Sequence, residues 1–354
     1  MIDKLSKFKN KKIIITGHTG FKGSWLTIIL TYLGSTVDGF SLKPKKKSLF
    51  NKSMISKHLR FNTYGDINNI KKLSKKIKQC KPEIIFHLAA QPLVLESYKD
   101  PLRTFNTNII GTLNVLETIR NASSVKSVII VTTDKVYKTR KKNGHYKESD
   151  QLGGFDPYSV SKVGAEIITD SYVKSFFKKT TLENRVSTVR AGNVIGGGDF
   201  SKNRLVPDII NAINKNTKIS IRNSNSIRPW QHVLDPLIGY LILAEKQFAN
   251  KVNNDEHSWN FGPDKNNFKR VIDIVKYITK YHKFKYSLIK NSKYQETKIL
   301  KLNSSKSKKK LHWIPKWNLT KSLIKTLEWN VSIKKGIPAK DLCISQFLMY
   351  VSKN

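Results

Sequence analysis

Seven residues constrain the fold more than any other part of the chain. Gly17-His18-Thr19-Gly20-Phe21-Lys22-Gly23 follows the apolar run Ile13–Ile15 and leads into a helical pattern over Gly23–Leu33. With 18 glycines in 354 residues, a Gly-x-x-Gly-x-x-Gly string arises by chance about 0.05 times. At a strand-to-helix turn its physics is specific. Glycines permit a tight turn and a close backbone approach, and the helix N-terminus offers unpaired N–H groups to a pyrophosphate.

The pattern that follows agrees with such a turn. Strands are predicted at Lys12–Thr16, Thr36–Phe40, Ile84–Leu88, Val128–Thr132 and Ser187–Arg190. Helices are predicted over Gly23–Leu33, Ile67–Cys80, Leu102–Asn121 and Tyr158–Phe177. Buried runs without strict alternation, separated by helices, indicate an α/β fold of the Rossmann type, a doubly wound parallel sheet. Residues 1–190 are read as the dinucleotide-binding domain, with a returning segment near 230–270 that includes a strand at Trp259–Phe261. After Arg190 the pattern breaks into Gly- and Pro-containing loops. Residues 191–354 are read mainly as a smaller, partly discontinuous substrate-binding domain. The low-complexity stretch 301–310 is read as an exposed helix start or loop.

Charge would suggest a different partner. Lys and Arg number 65 against 25 Asp and Glu, a net charge of +40. The excess is lysine, however, with 55 Lys and 10 Arg. Grip on phosphodiesters and bases favours the planar fork of arginine. In Ile67–Cys80 the apolar residues Ile67, Ile70, Leu73 and Ile77 recur at helical spacing while lysines fill the other faces, as on a solvated helix. Neither nucleic acid nor a membrane is therefore an expected partner. Two cysteines, Cys80 and Cys343, make neither a disulfide framework nor a metal site and suit a reducing compartment. The basic residues 1–12 precede only three apolar residues, and the run Trp25–Leu33 is too short to span a bilayer. A cytoplasmic location is expected.

Chemistry should concentrate at strand C-termini, which face the ligand crevice of such sheets. The fourth predicted strand ends in Thr132-Thr133-Asp134-Lys135, and Tyr158-Ser159-Val160-Ser161-Lys162 opens a helix some 25 residues on. Spacing of four puts Tyr158 and Lys162 on one face, where an ammonium and a nicotinamide cation together would lower the phenol pKa. Five Tyr-x-x-x-Lys pairs occur, at Tyr137, Tyr158, Tyr281, Tyr286 and Tyr294, where about two arise by chance. Position, not pattern, singles out Tyr158. At the end of the second strand, an acidic residue would ordinarily hold the cofactor ribose. Here Asp38 lies inside the run, and Ser41 or Lys43 takes the end position. Lys43 can accommodate a 2′-phosphate but also belongs to a lysine-rich stretch, so NAD and NADP both stay open.

Together these segments resemble the extended short-chain dehydrogenase/reductase family over residues 11–332. Further segments that carry the likeness are Phe86-His87-Leu88-Ala89-Ala90-Gln91, Asn108-Ile109-Ile110-Gly111-Thr112 and Trp259-Asn260-Phe261-Gly262-Pro263. Gly17–Leu26, Gln91–Val94, Thr133-Asp134-Lys135, Arg190–Asp199 and Ile227–Val233 look like the sugar-nucleotide 4,6-dehydratases, the CDP-glucose branch above all. The resemblance implies NAD as cofactor, held by Gly17, Gly20, Phe21, Gly23, Asp66, Ile67, Leu88, Ala89, Ala90, Asn108, Tyr158 and Lys162. It implies catalysis by Thr133, Asp134, Lys135, Tyr158 and Lys162, and substrate contacts from Gln91, Asn193, Arg204, Arg228 and His232. Of the clustered arginines, Arg190 is read as structural and Arg222 as an exposed strand-edge charge.

In such enzymes NAD takes the C4 hydride while Tyr158 would take the O4 proton, with Thr133 sharing that hydrogen bond. The C5 proton and the C6 hydroxyl then leave, and the hydride returns to C6. Asp134 would be the acid at the C6 hydroxyl. Lys135 would be either the C5 base or an ammonium that stabilises the enolate. The implied product is CDP-4-keto-6-deoxyglucose, and the implied assembly is a homodimer or dimer of dimers packed through Leu102–Asn121 and Tyr158–Phe177. Alternatives are a dehydratase of other specificity, a 4-epimerase, which needs no acid at C6, and a non-catalytic basic scaffold.

Overall fold

The computed structural model describes residues 5–139, 145–252, 257–289 and 297–352. Lys12–Thr16 (β1) is buried at four of its five positions, as a strand covered on both faces must be. The strands that follow are Thr36–Ser41 (β2), Phe61–Tyr64 (β3), Ile84–His87 (β4), Ser127–Val131 (β5) and Val186–Ala191 (β6). The second half adds Asn193–Ile195 (β7), Ile219–Ile221 (β8), Ile227–His232 (β9), Ser258–Phe261 (β10), Phe268–Arg270 (β11) and Tyr286–Leu288 (β12). Seven of these form one sheet in the order β10-β6-β5-β4-β1-β2-β3. Every pairing in it is parallel. The order reverses between β1 and β4, which opens a crevice beyond their C-terminal ends.

Helices cover both faces. Those used below are Phe21–Tyr32 (α1), Ile70–Cys80 (α2), Gly111–Arg120 (α3), Pro157–Tyr172 (α4), Leu205–Lys215 (α5) and Leu234–Phe248 (α6). Alternate residues of β1 divide between two cores, as strand geometry dictates. Ile13 and Ile15 pack with Trp25, Ile29, Leu237, Trp313 and Phe347. Ile14 packs with Ile85, Leu116, Ile130 and Phe177 on the opposite face. A third core, with Ile195, Val206, Ile209, Trp230 and Ile278, lies beneath the two small sheets β11-β9-β7 and β12-β8.

The expected division near residue 190 is not a clean cut in space. β10 extends the large sheet beside β6, and α6 packs over β5. The last helix, Ala339–Val351, lies against α1 rather than on the small sheets. Its Tyr350 hydroxyl donates to Oδ1 of the fully buried Asp235, 2.5 Å away.

Several predicted boundaries move for local reasons. β3 was not foreseen; its four residues are all half-buried and only Phe61 and Tyr64 carry a large apolar surface. The helix predicted from Ile67 starts at Ile70, because the Asn69 side chain caps it by accepting from Lys72 N. Ile67 instead inserts into the core ahead of that cap. The helices predicted over Leu102–Asn121 and Tyr158–Phe177 each contain a wide turn, at Asn106–Ile110 and Val173–Phe177. Ser305–Leu311, within the low-complexity stretch, is helical. The Tyr294 pair lies outside the described residues.

Candidate active site

A single cleft of about 1020 Å³ runs from the glycine turn, past the ends of β5 and β6, to α5 and β8. The turn is built by exclusion of side chains. Gly17 has φ +76° and a Cβ there would stand 2.6 Å from Ala89 N at the end of β4. A Cβ on Gly23 would stand 2.2 Å from the Gly17 carbonyl oxygen. Ser24 N–H to Gly20 O, 2.8 Å, is the first bond of the α1 ladder. No side chain caps this helix end. The N–H groups of Phe21, Lys22 and Gly23 thus have no intrahelical acceptor and open onto the cleft, as an incoming pyrophosphate requires. Asp66, Ile67, Leu88, Ala89 and Ala90 line the same end. This donor set fits a dinucleotide cofactor.

Beyond it stand the reacting groups. β5 ends at Val131, and Thr133 caps the short turn Asp134–Val136. The Thr133 hydroxyl donates to Asp134 Oδ1 at 3.1 Å. Asp134 is 2% exposed, and its Oδ2 has no hydrogen-bond partner. Burial pushes this carboxyl up, against the pull of Lys135, Arg228, the Thr133 hydroxyl and Lys22. α4 starts at Pro157 with its N-terminus capped by Asp156, which puts Tyr158 and Lys162 at the cleft.

The phenol of Tyr158 is set first by its burial. Burial raises its phenol to about 12, and the groups that pull it back are the Thr133 hydroxyl and Arg204 rather than Lys162. The Lys162 ammonium donates to the Val131 carbonyl at 2.9 Å. Burial lowers it to about 8, offset by Glu166 one turn along α4. Glu166 is in turn held by Arg190 through two bonds of 2.8 Å. Arg190 also donates to the Tyr137 hydroxyl, so it and Tyr137 are structural, beneath the site.

Lys22 is the residue the sequence did not single out. It lies inside the glycine turn and lines the cleft. Burial lowers its pKa to about 7, reinforced by Arg204 and Lys162 and opposed by Asp134. A cluster of cations therefore surrounds one buried carboxyl. Arg204, Arg228 and Asn193 line the cleft as well. Arg204 donates to Asp199 at 3.1 Å, and Arg228, 4% exposed, donates to the carbonyls of Ile227 and Lys298. Arg222, read as an exposed edge charge, is half-buried and lines the cleft as well.

Three named residues do not reach the cleft. His232 is fully buried, its ring set between Trp25 and Trp317. Every residue of β9 from Arg228 to His232 is buried, so strand parity gave no sign of which one faces solvent. The Gln91 side chain is consumed by Leu93 and Thr104, closing the turn after β4. Asn108 bonds both to the Gln91 backbone and to Ser161 Oγ, which ties that turn to α4 behind the cofactor wall. The unusual glycine string 196–198 has a packing cause. Trp25 Nε1 donates to Gly197 O at 2.9 Å, and a Cβ on Gly197 would stand 2.0 Å from the Trp329 ring.

A Rossmann sheet with Thr133 beyond β5 and Tyr158 and Lys162 on the following helix defines a short-chain dehydrogenase/reductase. Residues 14–326 match the family model described as GDP-mannose 4,6 dehydratase, and the chain belongs to that family. It is 41% identical over 350 residues to the CDP-glucose 4,6-dehydratase of Salmonella typhimurium, covering 97% of this chain and 96% of that protein. It is 31% identical over 258 residues to a dTDP-D-glucose 4,6-dehydratase of Dictyostelium discoideum, 69% of this chain and 58% of that one. Among solved structures, dTDP-glucose 4,6-dehydratase of Bacillus anthracis in complex with NAD superposes with a TM-score of 0.74 at 23% identity, over 91% and 97% of the two chains. UDP-glucose 4-epimerase of Thermotoga maritima gives 0.76 at 23% identity, over 91% and 99%.

Proposed function

We propose that this protein is a sugar-nucleotide 4,6-dehydratase that converts CDP-glucose to CDP-4-keto-6-deoxyglucose with NAD as a recycled cofactor. The observation that carries the reading is the Asp134–Lys135 pair on the turn beside Thr133 and Tyr158. An epimerase has no use for an acid there. Identity of 41% along 97% of this chain to the Salmonella enzyme supports the cytidine nucleotide.

The residues divide the work by their chemistry. The glycine turn and the α1 N-terminus hold the cofactor diphosphate, and Lys162 holds its nicotinamide ribose. NAD, when bound, supplies the hydride acceptor and donor that carries the C4 hydrogen to C6. Tyr158 takes the O4 proton as its phenolate, a form that burial disfavours in the free protein and that the positive charge of a bound nicotinamide would favour, with the Thr133 hydroxyl sharing the hydrogen bond. Lys135 removes the C5 proton, which the 4-keto group makes acidic; the electron pair rests in the enolate and then forms the C5–C6 double bond as the C6–O bond breaks. Asp134, which burial favours in its protonated form, gives that proton to the departing hydroxyl, which leaves as water; when hydride reaches C6 the Lys135 ammonium returns a proton to C5, and the proton taken from O4 balances the one Asp134 gave up. Arg204 and Arg228 supply the fork geometry that a diphosphate takes.

The same reading makes the protein a cytoplasmic homodimer. Its support is a row of exposed apolar residues on the paired helical segments: Leu102, Ile110, Val160 and Ile167. Among the described residues, no helix is long and apolar enough to cross a membrane. The test is incubation with CDP-, dTDP-, UDP- and GDP-hexoses without added reductant. Loss of one water from CDP-glucose is expected. Turnover of another nucleotide alone, or a mass-neutral product, overturns the assignment.

A further inference from the structure

Two charged residues of the cleft have no task in the reaction scheme. Both stand at its α5–β8 end, among the apolar side chains of Val206, Ile221 and Val271. Asp208 lies in the first turn of α5, and its N–H donates to the Arg204 carbonyl at 2.9 Å. Asp208 is therefore one helical turn, about 5 Å, along α5 from Arg204. The step from a diphosphate to its nucleobase is of the same order, so a diphosphate on Arg204 brings the base within reach of Asp208. Arg222 directly follows β8.

The two groups are half-buried and feel each other. Burial raises the Asp208 carboxyl, against the pull of the Asn203 N–H and of the Arg222 guanidinium, with Asp199 raising it further. No hydrogen bond or ion pair joins the Arg222 side chain to a described residue, so its fork keeps its N–H groups for a ligand. Cytosine has the complementary edge: a 4-amino donor, then the acceptors N3 and O2. A carboxylate accepts from the amino group, and a guanidinium donates to the acceptors. Uracil and thymine present an O4 acceptor and an N3–H donor instead. Against them the carboxylate meets a lone pair and the fork meets an N–H.

We propose that Asp208 and Arg222 read the nucleobase: Asp208 accepts from the 4-amino group of cytosine, and Arg222 donates to N3 and O2. Together they select cytidine over uridine and thymidine nucleotides. The inference rests on the CDP-glucose reading and supplies the residues that set it.

The test is turnover of CDP-glucose and of UDP-glucose by the NAD-loaded full chain, read as the ratio of the two kcat/KM values. The wild type is expected to favour CDP-glucose at least about 100-fold. Asp208→Asn keeps the shape but can turn an N–H toward O4 of uracil, and the ratio is expected to fall at least about tenfold. Arg222→Met lowers it in the same direction, because the lost N3 bond served cytosine alone. A merely structural role would slow both substrates alike and leave the ratio in place. A wild-type protein without preference overturns the proposal, as does an unchanged ratio in either variant. If a variant does not fold, the wild type decides. The diphosphate of pyrimidin-2-one riboside, which lacks the 4-amino group, is expected to inhibit at least about tenfold more weakly than CDP, and equal inhibition overturns the proposal. Failure to turn over CDP-glucose at all overturns the functional reading itself, whereas CDP-glucose turnover with an unmoved ratio overturns only this inference.

Discussion

The Thr133 hydroxyl donates to Oδ1 of Asp134 across 3.1 Å, and leaves Oδ2 of that buried carboxyl without a partner. One oxygen is fixed, and the other is buried and unpaired in a residue that lines the cleft. Replacing the acid with its amide keeps the shape and removes the proton. Asp134→Asn is expected to slow water loss by about 10²–10⁴-fold while C5 deuterium exchange persists. Parallel mass spectrometry and proton NMR in deuterated water separate the two. Equal loss of both would argue for a structural role.

Lys135 is tested in the opposite sense. Lys135→Ala in deuterated water is expected to abolish C5 exchange after C4 oxidation. Exchange at the full rate would reduce Lys135 to an ammonium that stabilises the enolate, and would move the base elsewhere.

Tyr158 is held protonated by burial, at about 12. An ultraviolet difference titration between wild type and Tyr158→Phe in nucleotide-free protein should show no tyrosinate step assignable to Tyr158 below about pH 10. The same variant should lose about 10³-fold in turnover. A step near pH 7 would mean that the cations around Tyr158 outweigh its burial even in nucleotide-free protein.

Lys22 carries a sign that can be checked. Its pKa falls from 10.5 to about 7 on burial, so between these values the unfolded chain binds the extra proton and folding strengthens as pH rises. Lys22→Met removes this penalty. Its melting temperature should exceed that of wild type by several degrees at pH 7, and by less at pH 10. A gain that is flat with pH would mean Lys22 is solvated.

Asp235 works in the reverse direction. Burial raises it to about 7, against hydrogen bonds from Tyr350 and from the N–H groups of Lys316, His232 and Trp317. Its folded pKa lies above the unfolded value, so its contribution is complete below pH 3.8 and is lost as pH rises through about 7. Tyr350→Phe should cost about 1–3 kcal/mol by denaturant melting, since it strips a donor from a buried carboxyl. Asp235→Asn should flatten the decline in stability between the unfolded value of 3.8 and about pH 7.

What could be read from the chain alone was local. The turn at Gly17–Gly23 and strands such as Lys12–Thr16 declare themselves by short-range spacing and continuous apolar runs. β3 did not, because an edge strand of half-buried polar residues has no such signature. Lys22 was hidden in plain view. Its significance comes from Lys162, Arg204 and Asp134, which reach it from three distant segments. His232 and Gln91 failed for the complementary reason: a distinctive string identifies a segment, not which of its side chains face the cleft. Asp38 shows the same limit. Its place inside β2 was legible, but its capture by Arg60, the residue just before β3, was not.

The central claim is that one active site moves the C4 hydrogen to C6 while water leaves. CDP-glucose carrying deuterium at C4 should yield, without added cofactor beyond catalytic NAD, a product lighter by one water with the deuterium retained at C6. An unchanged mass, or a dehydrated product whose C4 label has gone to solvent, would contradict the account.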